Sequence, residues 1–419
     1  MKIQLQKSAI KNQQSAINIT GSKSETNRLL LLQALYSNIL LENKSNSDDS
    51  DVMKKALNSQ LIINNSQLID VHHAGTAMRF LTAFFAIHEG KEVILTGSSR
   101  MKERPIKILV EALNQLGAAI TYEEKEGFPP IKIKGKKILN NKVSLPANIS
   151  SQYISALLLI APKLENGLEL SLEGEITSIP YIKMTLALLD EIGANTSFQN
   201  NIIKVNSKPE TRNSQLLTIE SDWSSASYWY SIVALSDIGT KITLSSYKKN
   251  SLQGDSSLVE IYKNFGVETV FNNDNSITIS KINRCHTELV EVPSFNLINC
   301  PDIAQTIAVT CFGLGLSCEL FGLHTLKIKE TDRLEALKNE LSKLGAEISV
   351  THDSLHLKSS SIINKNCSIA TYQDHRMAMA FSPLALKTSL IINDAEVVSK
   401  SYPTFWEDLK NVGFQLEEV

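Results

Sequence analysis

A helix that ends at a glycine and leads directly into a strand recurs along the 419-residue chain. The copies read VEALNQLGAAITY, LALLDEIGANTSF, VEIYKNFGVETVF, KNELSKLGAEISV and LKNVGFQLEE. Their glycines are spaced by 76, 73, 79 and 68 residues and are Gly117, Gly193, Gly266, Gly345 and Gly413. Each stands where a helix C-terminus favours the left-handed backbone, which costs glycine little. With MKKALNSQLIIN, near residue 58, as a first copy without the glycine, the pattern predicts six supersecondary units.

Six units of helix and strand predict an α/β protein, and they divide into two domains of three units each. The predicted boundary lies near residues 214–222 (SQLLTIESD), where a polar stretch gives way to a new strand and helix. The alternative is that helix, glycine and strand follow one another by chance, because this order is common in α/β proteins.

Composition excludes several classes of protein. The net charge of −2 gives no bulk field that would favour nucleic acid or an acidic membrane. The N-terminus lacks the apolar core of a signal peptide, and no apolar run approaches the roughly 18 residues of a membrane span. Five cysteines without a C-x-x-C pair are typical of a reduced, cytoplasmic enzyme. The segments SVTHDSLHLKS, SDDSDVMKKAL and FGLGLSC lack the patterns of zinc, calcium and dinucleotide sites. Asp48, Asp49 and Asp51 of the second segment are predicted instead to cap the helix DVMKKAL.

Polar motifs fall at predicted strand-to-helix turns. GSKSETNRLLLLQAL contains a capping box, Ser22-x-x-Glu25, followed by an apolar helix. A turn at Gly75 precedes another helix, and Pro105 is predicted at a first helical position. Free backbone N–H groups at helix N-termini attract anions, so Lys23, Ser24 and Arg28 predict an anion site; the serines could instead be caps alone.

The chain uses only eight arginines against 34 lysines, which suggests that arginine stands where a rigid two-pronged donor is needed. The cations in the motifs are Lys23, Arg28, Arg104, Lys329, Arg333, Arg376 and Lys400. Two carboxylates lie among them, Asp302 and Glu330. A carboxylate held among cations stays ionised and can act as a general base. The alternatives are a helix cap for Asp302 and an exposed ion pair with Lys329 or Arg333 for Glu330.

Eight motifs in order resemble the EPSP synthases, which are enolpyruvyl transferases: GSKSETNR, AGTAMRFLTA, RMKERPI, SSQYISALL, SSAS, PDIAQT, KETDRL and DHRMAMAF. The resemblance implies two similar domains, each of three βαβαββ-type units in an inside-out α/β barrel, with the active site in the interdomain cleft. It places residues 20–219 in the first domain and residues 1–19 with 220–419 in the second. It also implies closure of the domains when substrate binds.

The resemblance further implies transfer of the enolpyruvyl group of phosphoenolpyruvate to the 5-hydroxyl of shikimate 3-phosphate by a monomer, without metal or cofactor. The implied ligands of shikimate 3-phosphate are Lys23, Ser24, Arg28, Ser150, Ser151, Gln152, Ser178, Asp302 and Lys329. Those of phosphoenolpyruvate are Lys23, Gly75, Arg104, Gln152, Arg333, Arg376 and Lys400. Asp302 would take the hydroxyl proton, and Glu330 and Lys23 would transfer the others. Gly75 is the small residue typical of glyphosate-sensitive members.

The chain departs from the family pattern at Thr20, His72-His73, Ile179, Ser221 and Thr325, and Thr325 puts one contact to the shikimate side in doubt. His375 of DHRMAMAF has a packed core histidine as its alternative. Two other functions stay open. A sister enzyme acts on UDP-N-acetylglucosamine, but many of its members use a first-domain cysteine, and the first cysteine here is Cys285. The second is an inactive anion-binding relative, against which Asp302 and Glu330 argue.

Overall fold

A computed structural model describes residues 1–10, 14–58, 67–176, 179–208, 214–282 and 292–419. The chain forms two compact units. The contiguous unit is Ser22–Ile219, and the split unit joins Met1–Gly21 to Glu220–Val419. No helix of the described residues is both long and apolar enough to cross a membrane. The four cysteines in the described ranges are free thiols, whereas Cys285 lies outside them.

Thirteen α-helices lie in the described ranges, besides short 3-10 helices: α1 (Lys23–Leu35), α2 (Asp48–Asn58), α3 (Gly75–Ala86), α4 (Ser99–Lys102), α5 (Lys107–Leu116), α6 (Ser151–Ile160), α7 (Ile179–Glu191), α8 (Trp223–Leu235), α9 (Leu258–Ile261), α10 (Ala304–Leu314), α11 (Arg333–Lys343), α12 (His375–Phe381) and α13 (Phe405–Val412).

The strands of the same ranges are β1 (Ile3–Leu5), β2 (Gln14–Ile17), β3 (Ile39–Glu42), β4 (Gln67–Asp70), β5 (Glu92–Thr96), β6 (Ala119–Tyr122), β7 (Ile131–Lys134), β8 (Lys142–Pro146), β9 (Leu168–Glu173), β10 (Thr196–Gln199), β11 (Ile202–Val205), β12 (Gln215–Thr218), β13 (Lys241–Leu244), β14 (Val267–Phe271), β15 (Ile277–Lys281), β16 (Ser294–Asn296), β17 (Cys318–Phe321), β18 (Ile348–Val350), β19 (Leu355–Leu357), β20 (Cys367–Ile369), β21 (Leu390–Ile392) and β22 (Leu416–Glu418).

One strand order recurs in the four-stranded sheets. In the sheet β4-β5-β7-β6, β4 runs parallel to β5, and β7 is antiparallel to both of its neighbours. The same order appears as β8-β9-β11-β10, β2-β13-β15-β14, β16-β17-β19-β18 and β20-β21-β1-β22. In the sheet of β4 to β7, α3 joins the parallel pair and α5 precedes the antiparallel hairpin of β6 and β7. This order of elements is a βαβαββ unit. The fold is therefore α/β and built from the predicted repeat.

Three repeats draw a strand from a distant part of the chain. Near the N-terminus, β2 pairs in parallel with β13. The N-terminal β1 pairs with β21 and β22, which completes the sheet of the last repeat. In the contiguous unit β12 pairs in parallel with β3, which follows α1. The remainder of that first copy, residues 59–66, lies outside the described residues.

The helices that join the parallel strands form the centre of each unit. In the contiguous unit α1, α3 and α6 pack against one another, and in the split unit α8, α10 and α12 do so. These helices are buried almost all round; Trp223, Trp229 and Tyr230 of α8, for example, are fully buried. Burial of a whole helix explains the apolar runs in the sequence, such as LLLLQAL. The arrangement brings three helix N-termini together within each unit.

The predicted glycine caps are confirmed. All five repeat glycines have positive φ, from 72° at Gly266 to 112° at Gly413. The prediction for Pro105 is wrong, because α5 begins at Lys107 and Ile106 is its N-cap. Pro105 instead presents its carbonyl to other side chains, as described below.

Candidate active site

The contiguous unit joins the N-termini of α1, α3 and α6. Ser22 caps α1, as predicted, with its hydroxyl accepting from the backbone N–H of Glu25 at 3.5 Å. Ser150 caps α6 in the same way and accepts from the N–H of Gln152 at 3.4 Å. The side-chain amide of Gln152 donates to Thr76 Oγ1 of α3 at 3.0 Å, which links two of the helix ends.

Arg104 lies directly over Gly75. A Cβ atom at Gly75 would come within 2.5 Å of Arg104 Nη1, so only glycine leaves room for this guanidinium. The adjacent carbonyl of Pro105 accepts from Arg79 Nη2 at 3.0 Å and from the hydroxyl of Tyr153 at 2.5 Å. Burial, followed by the charge of Arg104, lowers the pKa of Arg79 to about 10. Arg79 and Tyr153 therefore fix the loop that carries Arg104; the predicted site contained neither.

Lys23 forms an ion pair with Asp49 across 3.2 Å. Asp49 lies in the first turn of α2, and both side chains are less than one-fifth exposed. The sequence favoured helix capping for this group of aspartates. Ser47 instead accepts from the N–H of Ser50 at 3.4 Å at this end of the helix, and Asp49 holds Lys23 in place.

Arg28 is buried and already has protein partners. Its guanidinium donates to the Ser24 carbonyl at 2.8 Å, to Thr185 Oγ1 at 2.8 Å and to Ser155 Oγ at 3.1 Å. It also lies over the ring of Phe80, 5.4 Å from the centroid. Burial lowers its pKa to about 10. Arg28 therefore ties α1 to α6 and α7, and binding of a phosphate by Arg28 stays a prediction.

Two other serines were predicted as ligands of shikimate 3-phosphate, and only one of them lies within the described residues. Ser151 is buried at the start of α6. Ser178 lies outside the described residues.

In the split unit, Arg333 donates to three carboxylates. It reaches Asp302 Oδ1 at 2.8 Å, Glu330 Oε2 at 2.8 Å and Asp374 Oδ2 at 2.6 Å, and its side chain is 2% exposed. Burial would lower its pKa, but the charges of Asp374, Glu330 and Asp302 outweigh burial and raise it. Arg333 therefore fixes both predicted acid–base carboxylates. Asp374 was not predicted, although it belongs to the DHRMAMAF motif.

Asp302 is surrounded by cations. Lys329 Nζ lies 3.3 Å from Asp302 Oδ1, and Arg376 Nη2 lies 3.6 Å from Asp302 Oδ2. Burial would raise the pKa of Asp302, but Lys329, Arg376 and Arg333 hold it well below its usual range. The capping alternative is wrong, because no side chain caps α10 and Asp302 forms ion pairs instead.

The alternative for Glu330 was an exposed ion pair with Lys329 or Arg333. It is correct about the partner and wrong about the exposure. Glu330 pairs with Arg333, whose side chain is buried rather than exposed.

The turn before α12 is contacted by a further predicted residue, Lys400. Tyr372 and Gln373 both have positive φ, and Lys400 Nζ donates to the Gln373 carbonyl at 2.8 Å. Asp374 caps α12 by accepting from the N–H of Arg376 at 2.9 Å. His375 is buried beside it. The split unit therefore brings together Asp302, Lys329, Glu330, Arg333 and Arg376, and attaches Lys400 to the same turn.

Thr325, one of the departures, has a buried hydroxyl without a hydrogen-bond partner in the described part of the chain. Within those same ranges no group of three or more His, Cys, Asp or Glu side chains could hold a metal ion.

A family model described as EPSP synthase (3-phosphoshikimate 1-carboxyvinyltransferase) matches residues 38–409. The chain belongs to the EPSP synthase family. Among its relatives, the 3-phosphoshikimate 1-carboxyvinyltransferase of Bacteroides fragilis (strain YCH46) is 44% identical over 407 residues, covering 96% of both chains. That of Haemophilus influenzae (strain PittEE) is 36% identical, covering 95% of this chain and 96% of its own.

Solved structures share the fold of this member of the EPSP synthase family. The EPSP synthase from Acinetobacter baumannii has a TM-score of 0.79 at 18% identity, with all of both chains covered. The enolpyruvyl transferase NikO from Streptomyces tendae has a TM-score of 0.74 at 12% identity, covering 100% of this chain and 98% of its own.

Proposed function

We propose that the chain transfers the enolpyruvyl group of phosphoenolpyruvate to the 5-hydroxyl of shikimate 3-phosphate and releases phosphate. The relatives named above carry this activity in their names, and they cover nearly the whole chain. The observation that carries the chemistry is Asp302, an ionised carboxylate beside Lys329, Arg333 and Arg376. Such a group can accept a proton while its cations bind the two anionic substrates.

The low pKa of Asp302 makes it a weak base while its cations are uncompensated. Anionic substrates on Lys329 and Arg376 would offset their positive charge, and the pKa of Asp302 would then rise towards its ordinary value. The base would thus gain strength when both substrates are bound, at the moment when the 5-hydroxyl must lose its proton. Because the pKa of Asp302 is low until the substrates bind, its carboxylate stays unprotonated before the reaction.

The bonds change as follows. The 5-oxygen of shikimate 3-phosphate forms a bond to C2 of phosphoenolpyruvate, Asp302 takes the hydroxyl proton, and C3 gains a proton. The tetrahedral intermediate then loses the C3 proton and breaks the bond between C2 and the phosphate oxygen, which restores the double bond. Glu330 and Lys23 are the proposed partners for these other protons, and each is held by an ion pair, to Arg333 and Asp49 respectively.

The remaining assignments concern binding. For phosphoenolpyruvate, we assign Arg104 above Gly75, with Gln152 beside it, and Arg333, Arg376 and Lys400. For shikimate 3-phosphate, the helix ends of the contiguous unit offer hydroxyls and N–H groups, and the split unit offers Lys329. The assigned residues of the contiguous unit are Lys23, Ser24, Arg28, Ser150, Ser151, Gln152 and Ser178.

The test is phosphate release from phosphoenolpyruvate by the purified chain, with either shikimate 3-phosphate or UDP-N-acetylglucosamine as acceptor. Release only with shikimate 3-phosphate is expected. An Asp302→Asn variant should lose turnover by about a hundredfold or more. Release only with the nucleotide sugar, or with neither acceptor, would contradict the proposal.

A further inference from the structure

The split unit contains a second buried carboxylate, Asp255, that the mechanism does not use. It lies in the short 3-10 helix Gly254–Ser257 and is 4% exposed. Its Oδ2 accepts from the hydroxyl of Ser224, and its Oδ1 has no hydrogen-bond partner among the described residues. Leaving a carboxylate oxygen buried and unpaired costs folding free energy. A group retained at such a cost needs an explanation other than stability.

Ser224 connects Asp255 to Arg376. Its Oγ donates to Asp255 and accepts from Arg376 Nη2 at 3.1 Å. A serine hydroxyl has one proton, and arginine offers only donors. Because Asp255 takes the proton of Ser224, the lone pairs of Ser224 are left for Arg376. The hydroxyl thus bridges an anion to a cation.

Arg376 is fixed at the same time to Asp302. Its Nη1 donates to the Asp302 backbone carbonyl at 3.1 Å, and its Nη2 lies 3.6 Å from the Asp302 carboxylate. The nitrogen that contacts Ser224 is therefore the nitrogen that faces the proposed base. A small rotation of this guanidinium would change both the phosphoenolpyruvate contact and the charge that acts on Asp302.

We infer that Asp255 is a positioning residue, which acts through Ser224 to hold the Arg376 guanidinium against Asp302. The inference rests on the proposed function for its catalytic consequence. Asp255 touches neither substrate nor reacting atoms in this account. Its effect is to set the geometry and the charge of residues that do.

The electrostatic surroundings agree with this arrangement. Burial raises the pKa of Asp255 to about 6, with Asp302 and Asp222 adding to the shift and Arg376 opposing it. The neighbouring Cys300 thiol has its pKa raised to about 12, by burial and then by Asp255, so it stays neutral. Below about pH 6 Asp255 is protonated, and its neutral carboxyl group no longer requires a hydrogen bond donated by the Ser224 hydroxyl. The orientation that serves Arg376 would then be lost.

The experiment compares Ser224→Ala, Asp255→Ala and their double variant in steady-state turnover. Each single variant should lower kcat by about tenfold, since small displacements of positioned groups are costly. The double variant should be no worse than the poorer single variant, because both residues act along one chain of hydrogen bonds. Ser224→Thr keeps the hydroxyl and should restore kcat. Ser256→Ala, in the same short helix as Asp255, is the control and should match the wild type.

Two further readouts separate positioning from folding and from failure of the proposed function. Asp255→Ala removes the acceptor for Ser224 and should lower kcat without lowering the midpoint of thermal unfolding, whereas loss of a purely structural residue would lower the midpoint. A crystal structure of Ser224→Ala should show Arg376 moved from Asp302, whether or not the chain turns over shikimate 3-phosphate. Unchanged kcat in the variants of an active enzyme, losses that multiply in the double variant, or an unmoved Arg376 would each overturn the inference. Absence of wild-type turnover would count against the proposed function alone.

Discussion

Arg104 occupies the space that a side chain on Gly75 would need, because a Cβ at Gly75 would lie 2.5 Å from Arg104 Nη1. Arg104 reaches this position from a loop whose Pro105 carbonyl accepts from Arg79 and Tyr153. The contiguous unit thus places one cation directly at the N-terminus of α3, where the helix dipole also favours an anion. This relationship makes the affinity for phosphoenolpyruvate sensitive to changes that leave the fold intact.

Gly75→Ala should raise the KM for phosphoenolpyruvate by about tenfold or more, because the methyl group must push the Arg104 guanidinium aside. The thermal midpoint should not fall, since alanine suits a helix better than glycine and the displaced group is a side-chain end. Steady-state kinetics and thermal unfolding measure the two effects. Adding Arg104→Lys to Gly75→Ala should cause little further loss. An unchanged KM in Gly75→Ala would show that Arg104 does not bind phosphoenolpyruvate.

Tyr153→Phe should raise the KM for phosphoenolpyruvate several-fold, because the loop of Arg104 loses one of two donors to the Pro105 carbonyl. The lost hydrogen bond should also cost about 1 kcal/mol of stability. Tyr36→Phe is a matched control, since the Tyr36 hydroxyl donates to the Lys208 carbonyl at 3.3 Å in the same unit. It should show a similar loss of stability with KM unchanged. Equal KM values in the two variants would refute the positioning role of Tyr153.

Asp49→Asn should lower kcat by about tenfold, because Lys23 loses the ion pair that orients its amine. Asp51→Asn serves as the control. Asp51 lies in the same first turn of α2 and is exposed, so both variants lose the same favourable charge near the helix N-terminus. Turnover of the two variants, measured at saturating substrates, separates orientation of Lys23 from helix stability. A turnover of Asp51→Asn as low as that of Asp49→Asn would show that the ion pair to Asp49 does not orient Lys23 for catalysis.

Asp255 should make the stability of the split unit depend on pH. The pKa of Asp255 is raised to about 6 in the folded chain, from an ordinary value of 3.8. Between these values the folded state binds more protons than the unfolded state, so stability falls as pH rises and the penalty is complete above about pH 6.

Asp255→Asn should therefore be the more stable protein at pH 7.5, by on the order of 3 kcal/mol, with the gap closing towards pH 4. Thermal unfolding midpoints of the two proteins over this range test the sign. A gap that widens as the pH falls would mean that Asp255 is stabilised as a carboxylate.

The sequence predicted best what depends on neighbouring residues. A glycine at a helix end or a serine three residues before Glu25 reflects local backbone geometry, and both features are present in the structure. The failure at Pro105 is also local, since its fixed φ suits a turn before a helix as well as a first helical position.

The partners of the site residues were not predictable in the same way. Arg333 and Asp374 are 41 positions apart, and Arg376 and Ser224 are 152 apart. No periodicity in the sequence links residues at such separations. The motifs identified Arg333 and Arg376 as important cations, but only the packing of α8, α10 and α12 shows which groups hold them.

The origin of the released phosphate tests the central claim most directly. Phosphoenolpyruvate with a heavy oxygen isotope in the bridge between C2 and phosphorus is incubated with the chain and shikimate 3-phosphate, and the mass of the phosphate is measured. Enolpyruvyl transfer breaks the bond between C2 and that oxygen, so the account predicts heavy phosphate that forms only when shikimate 3-phosphate is present. Light phosphate, with the label left in pyruvate, would show cleavage at phosphorus and would contradict the account.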